Sequence, residues 1–65
     1  MFDREKLLNY INNLGIKQKV ICQNTNISES AMSGILTGKR KCEVNEFISI
    51  CQFLNVNPNE FIRSD

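Results

Sequence analysis

Apolar residues recur at helical spacing along most of this 65-residue chain. The first apolar face consists of Leu7, Tyr10, Ile11 and Leu14. Their spacing of three and four residues is typical of one side of an α-helix. Asp3 is a suitable N-cap, and Gly15 can adopt the left-handed conformation that commonly ends a helix. The pattern predicts helix 1 over residues 3–14.

Two further short helices are predicted in the middle of the chain. The apolar face of helix 2 consists of Ile16, Val20 and Ile21, and the polar run 23–26 predicts a turn after it. Ser28 is a good N-cap for helix 3, whose apolar positions are Ala31, Met32 and Ile35. Helix 3 is expected to end near Leu36, before Gly38, and a polar loop over 38–43 follows.

The last third of the chain predicts two more helices. Helix 4 has its apolar face at Val44, Phe47, Ile48, Cys51 and Leu54. Asn55 can end it, since asparagine enters the left-handed region easily. Residues 57–60 then provide a capping Asn, a Pro at the first helical position and a Glu three residues on, so helix 5 should direct Phe61 and Ile62 to the core. No window alternates with a two-residue period, and the expected fold is all-α with five short helices.

Composition indicates one small domain over residues 1–65. The chain is 42% apolar and 23% charged with a formal net charge of +1, and its length leaves little sequence for an active-site cleft. Its charged start is unlike a secretory signal, and no stretch approaches the roughly 18 apolar residues of a membrane span. A cytoplasmic protein without membrane contact is expected.

The cysteines and the lack of histidine argue against an enzyme. Cys22, Cys42 and Cys51 are odd in number and unevenly spaced, which suits neither a disulfide framework nor a zinc site. The chain has no His, so the usual general base and the imidazole metal ligand are both absent. We expect reduced thiols, no cofactor, no metal and no catalysis.

Helices 2 and 3 carry the expected function. Each is about eight residues long, and the connection of three or four residues is too short for them to lie antiparallel. Such a pair is a helix-turn-helix, whose second helix can enter a DNA major groove about 12 Å wide while the first crosses the backbone.

Five segments in register resemble the Cro and lambda-repressor type of helix-turn-helix domain. Residues 15–18 are similar to its Gly-Leu-Ser-Gln, Cys22 stands at its small helix-2 position, and residues 26–28 replace its Gly-Ile-Ser turn. Residues 35–40 resemble the end of its recognition helix, and residues 54–61 resemble its closing Leu-Gly-Val-Ser-x-x-Glu-Leu. The resemblance implies a lambda-repressor-like DNA-binding domain with double-stranded DNA as its partner.

Charge and resemblance together nominate phosphate contacts. Residues 17–41 hold five basic side chains against the one carboxylate of Glu29, a local charge of +4, which leaves −3 for the rest of the chain. Such asymmetry is a plausible electrostatic footprint for a DNA backbone, and a solvated surface loop over 39–41 is the alternative. The candidate phosphate-contacting residues are Lys17, Gln18, Lys19, Lys39, Arg40 and Lys41.

The resemblance also implies base-reading positions at the start and outward face of helix 3. They are Ser28, Glu29, Ser30, Ser33 and Gly34. Ser28 has the N-cap role as its alternative, and Glu29 could instead face the positive end of the helix dipole. Gly34 is unusual inside a short helix, so either its backbone approaches DNA closely or the helix reads little sequence. Lys17 replaces a capping Ser of the family.

Two functions remain in view. The first is a sequence-specific transcriptional regulator, most like a phage or prophage repressor of the Cro size class, binding a palindromic operator as a homodimer. The family's use of its last helices for pairing nominates Phe53, Phe61 and Ile62 as the dimer interface. The second is a protein-binding module on the same fold, such as a repressor modulator, an antitoxin or a phage inhibitor of a host protein. Glu29, Gly34 and the apolar Val20 and Leu36 favour this alternative. Val20, Leu36 and Phe53 could instead enlarge the core.

Overall fold

Four α-helices and one C-terminal 3₁₀ turn make up residues 2–63, the part of the chain that the computed structural model describes. The elements are α1 (Arg4–Leu14), α2 (Gln18–Thr25), α3 (Glu29–Thr37), α4 (Val44–Leu54) and the 3₁₀ turn (Pro58–Phe61). The predicted all-α class is confirmed, and α2 and α3 are the predicted helices 2 and 3. The fifth predicted helix is present as a 3₁₀ turn instead of an α-helix.

The predicted N-caps of α1 and α3 are confirmed. The Asp3 carboxylate accepts from the Lys6 amide at 3.2 Å, and Ser28 Oγ accepts from the Ala31 amide at 3.1 Å. Each bond satisfies one of the backbone donors left open at a helix start. Every α-helix ends in a left-handed residue, and these residues are Gly15, Asn26, Gly38 and Asn55.

After α4 the chain forms a 3₁₀ turn and then extended backbone instead of a fifth α-helix. Asn57 caps the 3₁₀ turn by accepting from the Asn59 amide at 3.0 Å. At Ile62 the backbone is extended, because this residue pairs with Phe2 in an isolated antiparallel bridge. Phe61 is therefore buried at 2% exposure, as predicted, but Ile62 is 48% exposed and does not face the core.

Helix α2 is longer at its C-terminal end than the polar run 23–26 predicted. Asn24 and Thr25 stay helical because their side chains donate to the carbonyls of Val20 and Ile21, at 2.8 and 2.7 Å. Such bonds to the preceding turn give these polar residues partners inside the helix. The connection to α3 is therefore the three residues 26–28.

One hydrophobic core contains side chains from all five elements. Helix α2 packs against α3 and α4, α1 packs against α3, and the 3₁₀ turn contacts α1 and α4. The buried residues are Leu7, Ile11, Ile21, Cys22, Ile27, Met32, Ile35, Leu36, Ile50, Cys51, Leu54 and Phe61. No helix in the described part of the chain is long and apolar enough to cross a membrane.

Several apolar residues predicted to face the core lie at the surface instead. They are Leu14, Val44 and Ile48, and Val20, whose place in the core or at a partner surface was left open, also lies at the surface. Helix α4 is covered by α2 and the 3₁₀ turn along the side that carries Ile50, Cys51 and Leu54, so the first turn of its apolar stripe reaches solvent. Ile50 is fully buried and was missed, because it falls between the positions of the predicted stripe.

A long-range contact that the sequence did not predict joins α1 to the end of α3. Arg4 Nη1 donates to the Leu36 carbonyl at 3.1 Å. A Cβ at Gly38 would lie 3.0 Å from Arg4 Nε, so a residue without a side chain lets the guanidinium approach. The cation also lies at the negative end of the α3 dipole, where it is favourable. Arg4 thereby fixes the C-terminal end of α3 against α1.

Leu36 was an open choice between core and partner surface, and at 1% exposure it belongs to the core. We predict that Leu36→Ala lowers the free energy of unfolding by about 2–5 kcal/mol, through lost burial and a residual cavity. Val20→Ala is the control, because Val20 is 40% exposed, and it should change stability by no more than about 0.5 kcal/mol. Urea unfolding followed by circular dichroism measures both; equal effects would contradict this core.

Candidate nucleic-acid interface

Helix α3 has one buried side and one polar side. Met32, Ile35 and Leu36 are at most 1% exposed and hold the helix against the core. Ser30, Ser33 and Thr37, spaced at i, i+3 and i+7, are all exposed and share the opposite side. Thr37 was missed as a site residue, although its spacing from Ser30 and Ser33 could have identified it. Hydroxyl groups therefore line the solvent-facing side of α3.

The first turn of α3 contains Ser28 and Glu29, each of which had an alternative to base reading. Ser28 Oγ is engaged by the Ala31 amide, so the N-cap role of Ser28 is shown by a hydrogen bond. Glu29 is the first helical residue and is exposed, close to the positive end of the helix dipole. Its charge also reaches Cys22 of α2, where burial first and Glu29 second raise the pKa of the thiol.

Gly34 faces the chain that follows α3, which neither reading of this glycine anticipated. The Arg40 amide donates to the Gly34 carbonyl at 3.0 Å. A Cβ at position 34 would lie 2.9 Å from Arg40 Cβ, closer than side-chain carbons approach one another. The glycine therefore makes room for the loop after α3, and this contact accounts for a glycine inside a short helix.

The start of α2 presents exposed polar and basic residues. Lys17 occupies the N-cap position with extended backbone, and its side chain makes no capping bond. Gln18 and Lys19 are the first two helical residues, and all three side chains are exposed. Since no side chain caps this end, the first amides of α2 are open to an anion.

The loop after α3 carries three exposed cations, of which one is already paired. Arg40 Nη1 and Nη2 donate to the two carboxylate oxygens of Glu46 in α4, at 2.8 and 2.9 Å. This bond, followed by one from the Glu43 amide, holds the pKa of Glu46 below its ordinary value, and Glu46 in turn raises the pKa of Arg40. Lys39 and Lys41 are exposed and have no ion-pair partner within residues 2–63.

The thiols are poorly suited to chemistry. Cys22 and Cys51 are buried and Cys42 is partly buried, and all three are free cysteines. Burial raises the pKa of Cys42 to about 11, so the thiol stays protonated near neutral pH and is a weak nucleophile. Among residues 2–63, no group of three metal-ligating side chains lies together.

Two short helices joined by three residues, the second with an exposed polar side and basic residues before and after the pair, define a helix-turn-helix DNA-binding domain. The family model of the Cro/C1-type HTH DNA-binding domain matches residues 6–64. The chain belongs to this family, whose members are typically not enzymes. No curated protein and no solved structure gives a significant match. The predicted resemblance is thus confirmed at the level of the family.

The contact between Gly34 and Arg40 generates a stability prediction. Replacing a glycine inside a helix by Ala ordinarily raises the free energy of unfolding by about 1 kcal/mol. We expect Gly34→Ala to lower the free energy of unfolding by about 1 kcal/mol instead, because the added methyl group would clash with Arg40 Cβ. Ser33→Ala is the matched control at the next, exposed position and should be neutral or slightly stabilising. Urea unfolding compares the two, and a clear gain for Gly34→Ala would disprove the close contact.

Proposed function

We propose that this protein is a sequence-specific transcriptional regulator, a repressor of phage or prophage type and of the Cro size class. The observation that carries the proposal is the exposed hydroxyl side of α3, opposite the side that packs in the core. An α-helix with its side chains is about 10–12 Å across, so α3 can lie in a major groove about 12 Å wide. Occupying an operator in this way would block polymerase without a cofactor.

Phosphate contacts are proposed at both ends of the helix-turn-helix. Gln18 and the open amides at the start of α2 would hold one phosphate, with Lys17 and Lys19 beside them. Lys39 and Lys41 would hold phosphates after α3. These four lysines agree with about four phosphate contacts in each protomer, too few for tight binding by one domain.

Base reading is proposed for Ser30 and Ser33, with Thr37 on the same side of α3. Serine hydroxyls can donate or accept at several bases, so these contacts would discriminate weakly. Thr37 Oγ1 donates to the Ser33 carbonyl at 2.8 Å, which leaves its hydroxyl free only to accept. Glu29 could accept from a cytosine amino group at the N-terminal end of the helix. Ser28 would contribute mainly by capping α3, and Gly34 by accommodating the loop. Sequence preference then depends on two half-sites being bound together.

A homodimer is proposed through an apolar groove near the chain ends. Ile62 lies there with Val44, which is 75% exposed, and the groove of about 190 Å³ is also lined by Phe2, Cys42 and Phe47. Of the other residues nominated for pairing, Phe53 is partly buried. Phe61 is 2% exposed and packs edge-on against Tyr10, so it has no surface to offer and is removed from the nominated interface.

The protein-binding alternative has lost part of its support. Leu36 is buried, and Gly34 is explained by Arg40, so neither indicates a partner surface. Val20, 40% exposed on α2, and the carboxylate of Glu29 on α3 still favour it. A modulator or inhibitor on this fold would need an apolar surface, and the groove around Val44 is the one we assign to a second copy.

DNA binding is tested by its salt dependence. If a dimer neutralises about eight phosphates, log affinity should fall against log salt with a slope near −7. Lys39→Gln removes one contact from each protomer and should reduce the slope by about 2. Lys6→Gln should leave it unchanged, since Lys6 is on α1 with its ammonium 5.8 Å from the Phe61 ring centre.

The measurement is an anisotropy titration with the DNA upstream of the gene and with a scrambled duplex, from 50 to 200 mM salt. The repressor proposal requires tighter binding to the upstream DNA. A slope near zero, or no preference between the two duplexes, would rule it out and favour a protein partner.

Dimerisation is tested at Val44. Val44→Asp places a charge in the proposed interface, where an unpaired carboxylate is costly, so we expect a monomer in sedimentation velocity and weaker operator binding. The fold should persist because the wild-type side chain is 75% exposed. Val20→Asp introduces the same charge on α2, away from the groove, and should sediment like the wild type. A dimeric Val44→Asp protein would refute this interface.

A further inference from the structure

The loop between α3 and α4 is held by one residue at both of its sides. Towards α3, the Arg40 amide donates to the Gly34 carbonyl at 3.0 Å. Towards α4, the Arg40 guanidinium makes a two-pronged ion pair with Glu46, at 2.8 and 2.9 Å, and Nη1 also donates to the Lys41 carbonyl at 3.2 Å. Arg40 thus connects the end of the recognition helix to the start of the next helix.

Glu46 completes this arrangement from α4. Its Oε1 accepts from the Glu43 amide at 3.0 Å as well as from Arg40, so one carboxylate holds the start of α4 and the loop before it. Gly34 permits the arrangement, because any side chain there would displace Arg40 Cβ. Three residues from two helices and the loop are therefore mutually dependent.

We propose that Arg40 is a positioning residue, which fixes the loop so that Lys39 and Lys41 meet the DNA backbone, and that Arg40 itself contacts no phosphate. This inference rests on the proposed function and revises the phosphate-contacting role expected of Arg40. Both terminal nitrogens of the guanidinium already face a carboxylate. A phosphate could take this fork only by displacing Glu46, which would leave an unpaired negative charge beside the phosphate. A phosphate at the two remaining donors, Nε–H and the second Nη2–H, would lie close to the Glu46 carboxylate and be repelled by it.

The ion pair between Arg40 and Glu46 orders the loop more than it raises the free energy of unfolding. Its side chains are 41% and 20% exposed, and exposed ion pairs contribute little to folding even when two-pronged. Glu43 is joined to α4 by a capping box with Glu46, whereas the loop residues before it are joined to α4 by the bonds of Arg40. Losing the pair should therefore loosen Lys39 and Lys41 while the core remains folded.

Arg40→Gln and Glu46→Gln test the proposal because a phosphate-contacting Arg40 predicts opposite effects for them. If Arg40 positions the loop, both variants weaken operator binding, by up to about fivefold for each protomer, the upper end for an exposed ion pair. The salt slope should stay that of the wild type, because Lys39 and Lys41 still reach phosphate in the complex and the affinity falls only by the cost of ordering the loop on binding. Gly34→Ala, which moves Arg40 by contact alone, should behave in the same way.

The contrary result is equally clear. If Arg40 contacts phosphate, Arg40→Gln lowers the salt slope by about 1 for each protomer. Glu46→Gln would then release the guanidinium, tighten binding and steepen the slope. Either observation overturns the positioning role. Lys39→Gln, measured beside them, shows the size of slope change that a true phosphate contact produces.

A second readout needs no DNA. Hydrogen exchange of the Arg40 amide reports its bond to the Gly34 carbonyl, and we expect several-fold faster exchange in Glu46→Gln, with the core amides of α3 unchanged. Unchanged exchange at Arg40 overturns the proposed ordering. If the wild type binds no DNA, the proposed function fails, whereas the exchange result still reports whether Glu46 orders the loop.

Discussion

The burial of Met32, Ile35 and Leu36 is the constraint on which the interface depends. These three side chains fix the rotation of α3 about its own axis, because turning the helix would expose apolar surface and open a void in a core this small. The polar side chains of α3 then have only one direction left, towards solvent. Arg4 adds a second constraint by bonding the Leu36 carbonyl, so the helix can neither rotate nor slide easily against α1.

Much of the fold could be predicted from the sequence, because its helix ends use residues with strong local preferences. The caps at Asp3 and Ser28 and the left-handed end at Gly15 need only the neighbouring backbone, and each was predicted at the correct residue. Burial was predicted less well, since it depends on which side of a helix its neighbours cover. Val44 fits the apolar spacing of α4 but lies beyond the area that α2 and the 3₁₀ turn protect, and Ile62 is turned outward by its bridge to Phe2.

The candidate site was predictable in outline and not in detail, for a similar reason. Spacing along α3 and the positions of the lysines are local features that sequence records directly. Gly34 and Arg40, by contrast, owe their roles to a contact across the loop and to Glu46 in the next helix. A pattern within one helix cannot reveal that a glycine makes room for a residue outside it. The same limit explains why the sequence could not reveal the ion pair of Arg40, since its partner is a carboxylate that only the fold brings close.

In the proposed arrangement, arginine and lysine have different tasks around α3. A guanidinium presents donors in a fixed planar fork, which suits a permanent partner such as the Glu46 carboxylate. An ammonium on a flexible stem suits a phosphate whose position varies with the DNA sequence. With a net charge of only +1, the protein draws little on long-range attraction, and its affinity must come from where its few cations stand. Using the rigid cation to hold the backbone, and the flexible ones at Lys39 and Lys41 to meet the DNA, is how a weakly charged domain of this size could still bind its partner in one register.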